Sequence, residues 1–190
     1  PAWLPFMQTM TTDVRPLARS AVEKLRGGDA RGARALFEQV VAAGVADAAV
    51  FHSLAQACGM LQDHAAALAA IDRALALTPA NVFSLVLKAD VLAARGDGRG
   101  ATAFYQAALK AAPPDERITP ELDAVLGRAQ AMVAHYAQQF ADHLTRRLHG
   151  AGLDDGKAAK RFAKSLDLML GKTRVYQQSP RFFFFPCFLI

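Results

Sequence analysis

Residues 48–81 read AAVFHSLAQACGMLQDHAAALAAIDRALALTPAN, and residues 82–115 read VFSLVLKADVLAARGDGRGATAFYQAALKAAPPD. The two strings place alanine, bulky apolar and proline residues at the same offsets, so the sequence repeats with a period of 34. The matched pairs are Ala67 and Ala101, Ile71 and Tyr105, Ala74 and Ala108, and Pro79 and Pro113. A weaker copy precedes them at residues 14–47, with Ala33, Phe37 and Val40 at these offsets and Val45 in place of the proline.

An aspartate follows the same period as Asp29, Asp63 and Asp97, each in a short polar turn. A period of 34 with a turn in mid-repeat and a proline near its end is typical of tetratricopeptide repeats, in which each repeat is a pair of antiparallel helices. One such pair cannot bury its apolar face alone, so neighbouring pairs must stack. The sequence therefore predicts an all-α fold, a tetratricopeptide-type helical-hairpin solenoid of about three repeats at residues 14–47, 48–81 and 82–115.

The remaining segments extend this core at both ends. Residues 1–13 are interpreted as a leader. Thr119 is the expected N-cap of a long helix at 119–149 because proline and glutamate follow it in the first turn. We expect this helix to cap the last repeat through an apolar stripe made of Leu122, Leu126, Ala129, Met132, Val133, Tyr136, Phe140 and Leu144. An amphipathic helix is predicted at 154–171, and residues 172–190 are interpreted as a linker with the truncated start of a β domain.

Composition limits the classes of partner and compartment. The formal net charge is +5, but residues 144–190 carry nine Lys or Arg against three Asp, so the repeats themselves are close to neutral. A basic tail without interleaved aromatic side chains or a binding motif does not indicate nucleic acid. No apolar run approaches the roughly 20 residues of a membrane-spanning helix. Two distant cysteines, Cys58 and Cys187, do not suggest a disulfide framework, which favours a cytoplasmic location.

The C-terminal segment resembles a known family. Residues 176–186 read YQQSPRFFFFP, and together with the preceding helices they resemble the lead-in of bacterial aspartyl/asparaginyl β-hydroxylase-like proteins. After Pro186 the family tends to continue Gly-Leu-Pro, whereas this chain has Cys187, Phe188 and Leu189. The resemblance implies a following β domain that binds Fe(II) and 2-oxoglutarate and acts as a 2-oxoglutarate-dependent dioxygenase. Because the last histidine of this chain, His149, precedes the lead-in, no metal ligand of the family transfers to it.

The residues show no catalytic site of their own. The five histidines form no His-x-Asp or His-x-Glu pair, and neither a Gly-rich phosphate loop nor a Cys-x-x-Cys motif is present. We therefore expect no catalytic, metal or cofactor-binding residue in these 190 residues; Fe(II) and 2-oxoglutarate are expected only for a missing catalytic domain.

The repeats themselves predict a protein-interaction or scaffolding module, the non-catalytic N-terminal part of a β-hydroxylase-like protein. Its concave groove would bind a peptide or protein partner, or its own missing catalytic domain. The candidate groove residues on the first helices are Arg15, His52, Gln56, Phe83, Val86 and Asp90. Alternatives are the β-hydroxylase enzyme itself, a stand-alone repeat adaptor, and a membrane-associated adaptor that uses the basic helix and the Phe-rich end.

Overall fold

The computed structural model describes residues 14–114 and 117–150, except for the side chains of 148–150. This part of the chain is entirely helical, which confirms the predicted all-α helical-hairpin solenoid. Its helices are α1 (Arg15–Arg26), α2 (Ala30–Ala42), α3 (Ala48–Met60), α4 (His64–Leu77), α5 (Val82–Ala94), α6 (Gly98–Lys110) and α7 (Pro120–Gly150). The predicted leader, the helix at 154–171 and the segment at 172–190 lie outside the described residues.

The recurring aspartates begin the second helix of each repeat. The side chain of Asp97 accepts a hydrogen bond from Gly100 N at 2.8 Å, and Asp29 and Asp63 do the same for the residue three positions on. Such an N-cap satisfies one of the amide groups that a helix start leaves unpaired. The polar turn predicted from the sequence is therefore the point at which each hairpin reverses.

The residue before each capping aspartate has a positive φ: 82° at Gly28, 61° at Gln62 and 82° at Gly96. In the third repeat Asp97 N donates to Leu92 O and Gly96 N donates to Ala93 O, both at 2.9 Å. These two bonds form a Schellman motif, which closes one helix at a residue in the left-handed region. One short turn thus ends the first helix and caps the second.

Small residues allow the helices to approach closely. Ala33, Ala67 and Ala101 share one offset on the second helices and are 0% exposed. One turn later, Phe37, Ile71 and Tyr105 are also fully buried. Within the described residues, α1 to α6 pack between neighbours: the two helices of each hairpin contact each other, α2 contacts α3, α4 contacts α5, and the first helices contact in the order α1, α3, α5.

Charged side chains link successive repeats. Arg34 of α2 donates to Glu38 on its own helix at 2.8 Å and to Asp63 in the next repeat at 2.9 Å. Lys88 of α5 pairs with Asp72 of α4 at 2.6 Å. Since these groups are partly solvent-exposed, each pair contributes little free energy, about 0–1 kcal/mol.

Helix α7 begins at the residue that the sequence indicates. Thr119 Oγ1 accepts a hydrogen bond from Leu122 N at 3.3 Å, and Pro120 is the first helical residue. The chain divides after Gln130 into two compact units. In the first unit Leu122, Leu126 and Ala129 of the expected stripe are buried. In the second unit Val133 is buried, whereas Phe140 of the same stripe is 47% exposed.

Candidate functional site

An open groove of about 740 Å³ runs across the three repeats. The first helix of every repeat contributes to it, whereas no residue of α2, α4 or α6 lines it. This arrangement follows from the stacking of hairpins, which places all first helices on one side of the solenoid. The groove is thus a product of the repeat and not of one local motif.

The lining residues recur with the same period of 34 that defines the fold. They are Val22, Gln56 and Asp90 at one offset, Leu25 and Gly59 at a second, Arg26 and Met60 at a third, and Ser53 and Leu87 at a fourth. Two of these offsets belong to the last turn of the first helices, next to the capped turn described above. Equivalent positions in different repeats therefore line the same groove.

The groove is mostly apolar with a few polar groups. Val22, Leu25 and Leu87 are half-buried, and Met60 is 53% exposed. A methionine side chain adapts its shape to different contacts, which suits a surface that accepts another chain. The arrangement can bind an apolar segment. In this lining we find no nucleophile beside a general base, so it does not indicate catalysis.

The acidic wall of the groove is already paired. Asp90 Oδ1 accepts a hydrogen bond from the Tyr105 hydroxyl at 2.5 Å, and Asp90 Oδ2 contacts the Arg128 guanidinium at 3.2 Å. Tyr105 lies on α6 and Arg128 on α7, so one carboxylate on the groove wall connects to two further helices. This network fixes the position of Asp90 and offsets its charge.

His52 lies between the first helices of the second and third repeats. Its Nδ1 is 3.1 Å from the hydroxyl of Ser84, which is completely buried. Burial lowers the pKa of the His52 imidazole below its ordinary value of 6.5 because the charged form loses hydration. The ring is therefore neutral at pH 7 and forms a polar contact inside an otherwise apolar interface.

The six predicted groove residues occupy different environments in the structure. Gln56 and Asp90 line the groove. Phe83 is 42% exposed on α5, and Arg15 is exposed at the start of α1. His52 contacts Ser84, and Val86 is only 1% exposed, so its side chain lies in the core and not on an open surface.

Other reactive side chains are protected or dispersed. Cys58 is buried, and this burial raises the pKa of its thiol. Within residues 14–114 and 117–147 there is no group of three His, Cys, Asp or Glu side chains that could hold a metal ion. Among the helices of the described ranges, none is both long enough and apolar enough to cross a membrane.

Comparison with known proteins gives matches at the level of structure. No family model matches the sequence, and no curated protein matches it significantly. The type III secretion translocator chaperone SycD of Yersinia enterocolitica aligns with a TM-score of 0.62 at 14% identity, over 67% of this chain and 86% of that one. PcrH from Pseudomonas aeruginosa gives 0.58 at 20% identity, over 65% and 90%. The MamA protein gives 0.56 at 17% identity, over 92% and 80%.

These identities show a shared fold alone. The matches include a tetratricopeptide domain, that of Arabidopsis OM64, with a TM-score of 0.52 at 15% identity over 61% of this chain and 93% of that domain. The chain thus has a tetratricopeptide-like helical fold. Two of the related structures hold a bound segment: SycD with a peptide of the translocator YopD, and PcrH with the chaperone-binding region of PopD.

Proposed function

We propose that this chain is a protein-interaction module whose groove binds an extended or helical segment of a partner protein. The observation that carries this proposal is the open apolar groove built from α1, α3 and α5. A ligand that covers half-buried apolar side chains removes their surface from water. This burial favours binding by about 25 cal/mol per Å² of apolar surface. A groove spanning three repeats matches the length of a peptide better than that of a small molecule.

The structural neighbours support a peptide ligand. The chaperone SycD has been crystallised with a peptide of the translocator YopD, and PcrH with the chaperone-binding region of PopD. By analogy of fold, this chain would hold a segment of a client or assembly partner.

The test compares a groove substitution with a matched one elsewhere. A library of 16-residue peptides displayed on phage would be selected on the full chain. Met60→Glu places a charge in the groove, whereas Leu77→Glu places it on α4 at a residue that is equally exposed, 57% against 53%. We expect Met60→Glu to abolish binding of the selected peptides and Leu77→Glu to preserve it. Equal binding by both variants would contradict the proposal.

A finer proposal concerns the parent protein. The YQQSPRFFFFP lead-in at 176–186 supports a β-hydroxylase-like protein in which this module presents substrate to the catalytic domain, or contacts that domain. Fe(II) and 2-oxoglutarate would then bind that domain. A stand-alone adaptor accounts for the described structure equally well. The coding sequence after Ile190 distinguishes the hydroxylase hypothesis from the stand-alone adaptor. A continuation in any frame that encodes strands and two well-separated histidines supports the hydroxylase. A stop codon followed by unrelated sequence removes that support.

The proposed compartment is the cytoplasm. A free, buried thiol at Cys58 is compatible with reducing conditions. Fractionation of cells that express the full-length protein at natural levels would test this assignment.

A further inference from the structure

One face of α1 carries a row of arginines. Arg15, Arg19, Val22 and Arg26 are separated by four, three and four residues. At 100° per residue these side chains fall within about 60° of arc. Val22 and Arg26 line the groove. Arg19 and Arg15 continue the same helix face from there toward the start of α1.

Two arginines of this row carry a charge that no described side chain compensates. Arg19 and Arg26 are exposed, and neither forms an ion pair or a side-chain hydrogen bond there. Glu23, the acidic residue of α1, is likewise exposed and pairs with neither of them. Arg34 of α2, which does not line the groove, is the contrast, because Glu38 and Asp63 both contact it. The charge of Arg34 is therefore compensated, whereas the charges of Arg19 and Arg26 are available to a ligand.

The opposite wall offers little to a basic ligand. Asp90 is the one acidic residue among the described residues that line the groove, and Tyr105 and Arg128 already occupy its carboxylate. A basic ligand would share this one carboxylate with Arg128 and so gain less from it. An acidic ligand meets two unpaired guanidinium groups, which donate to carboxylates in a bidentate geometry.

From this charge distribution we propose that the groove accepts an apolar peptide segment with aspartate or glutamate side chains along the edge that faces α1. This inference rests on the proposed peptide-binding function and adds the chemistry of the partner. The acidic groups are side chains within the segment, since the described lining holds no lysine or asparagine of the kind with which repeat proteins clamp a C-terminal carboxylate. The apolar floor formed by Val22, Leu25 and Leu87 favours a peptide over a nucleic acid, because none of the described lining residues is aromatic and could stack on bases.

The test uses the same phage-displayed peptide library on the full chain, with the unselected library as the baseline. Peptides selected on the natural chain should be enriched in Asp and Glu beside apolar residues. Selection on the double variant R19E/R26E should enrich Lys and Arg instead. The control is Arg99→Glu, a charge reversal at an exposed residue of α6 that does not line the groove. A neutral pair, R19Q/R26Q, keeps the test valid if the reversed charges weaken the helix.

Three outcomes distinguish a failure of this inference from a failure of the proposed peptide-binding function. Acidic enrichment that the arginine variants remove or reverse supports the inference. Peptides that Met60→Glu no longer binds but that show no acidic preference overturn the inference and leave the peptide-binding function standing. If selection yields no peptide whose binding depends on Met60, both proposals are overturned.

A quantitative measurement completes the design. One selected peptide, synthesised with an amidated C-terminus, would be titrated against the natural chain and its variants by fluorescence anisotropy. We expect R19E/R26E to weaken binding by about three- to tenfold at low salt, the scale of exposed ion pairs, and 0.5 M salt to remove most of the difference. An unchanged affinity, or one that depends on a free C-terminal carboxylate, would overturn the proposed side-chain recognition.

Discussion

The core positions and the groove positions of the repeats differ in how constant they are. On the second helices one offset is alanine in all three repeats (Ala33, Ala67 and Ala101), and the offset one turn later is always a large buried side chain. On the first helices the groove offset changes from valine to glutamine to aspartate, at Val22, Gln56 and Asp90.

The physical cause is the environment of each surface. A second-helix position between two stacked hairpins must fit a fixed interhelical distance, so only a narrow range of volumes is stable there. A groove position faces solvent and tolerates different side chains. The constant positions therefore build the scaffold, and the changing positions set which ligand fits.

The largest expected effect comes from deleting a scaffold side chain. Ile71→Ala removes a completely buried side chain, and we expect a loss of about 2–4 kcal/mol in the free energy of unfolding. Met60→Ala in the groove should cost less than about 1 kcal/mol because half of its side chain is already exposed. Urea titration of both variants measures the difference. Equal losses would mean that the two surfaces do not differ in packing.

A smaller loss in the free energy of unfolding is expected at acidic pH, because of the contact between His52 of α3 and Ser84 of α5. The lowered pKa of His52 means that the unfolded chain takes up its proton before the folded chain does. Stability present at pH 7 is therefore lost as the pH falls below about 6.5 and through the folded-state pKa. The lowered pKa values of Asp29 and Asp63 act in a separate window near pH 4 and below.

The measurement is the free energy of unfolding at pH 7 and at pH 5.5. We expect a decrease in the natural chain and a smaller decrease in His52→Gln, which cannot become protonated. The same decrease in both proteins would assign the acid sensitivity to another group.

A modest gain in the free energy of unfolding should follow from placing glycine in the turn of the second repeat. Gln62 occupies the left-handed position that Gly28 and Gly96 occupy in the other repeats. Gln62→Gly should stabilise the chain by about 0.5–1 kcal/mol, the cost of a left-handed side chain less the entropy of glycine. The reciprocal control, Gly96→Gln, should destabilise it. A Cβ at Gly96 meets open space, so the backbone conformation alone would be responsible. A loss of stability in both variants would contradict this explanation.

The smallest effect on stability is expected from Gln56→Ala, within about 0.5 kcal/mol, because this groove side chain is exposed. Affinity for a groove ligand should nevertheless change, since Gln56 lies at the centre of the three repeats. Thermal unfolding and the anisotropy titration separate the two effects. A large drop in stability would place Gln56 among the scaffold residues.

Much of the fold could be predicted from the period alone. The offsets of Ala67, Ile71 and Pro79 located the helix pairs, and Thr119 located the start of α7. The aspartates were expected to mark polar turns, but their capping role depends on backbone angles that no spacing specifies. The hydroxylase relationship depends on residues outside the described part of the chain and stays a prediction.

The groove could be predicted only in part. The offset of Gln56 and Asp90 was selected from the sequence, whereas the offsets of Ser53, Gly59 and Met60 were missed. These residues continue the same helix face by one turn, so the spacing of three and four residues could have found them. Val86 is 1% exposed and does not belong to the described lining, and the angle between stacked hairpins, which decides such burial, is not encoded in the period.

The restriction of packing to neighbours has a consequence for cooperativity. Helices α1 and α5 do not contact each other within the described residues, so the two ends of the repeat array influence one another only through α3. Such an array behaves as a one-dimensional chain of coupled units that can open from one end. A ligand lying across α1, α3 and α5 would add a direct link between the ends. Binding would then do more than add stability, because it would make three loosely coupled hairpins unfold as one.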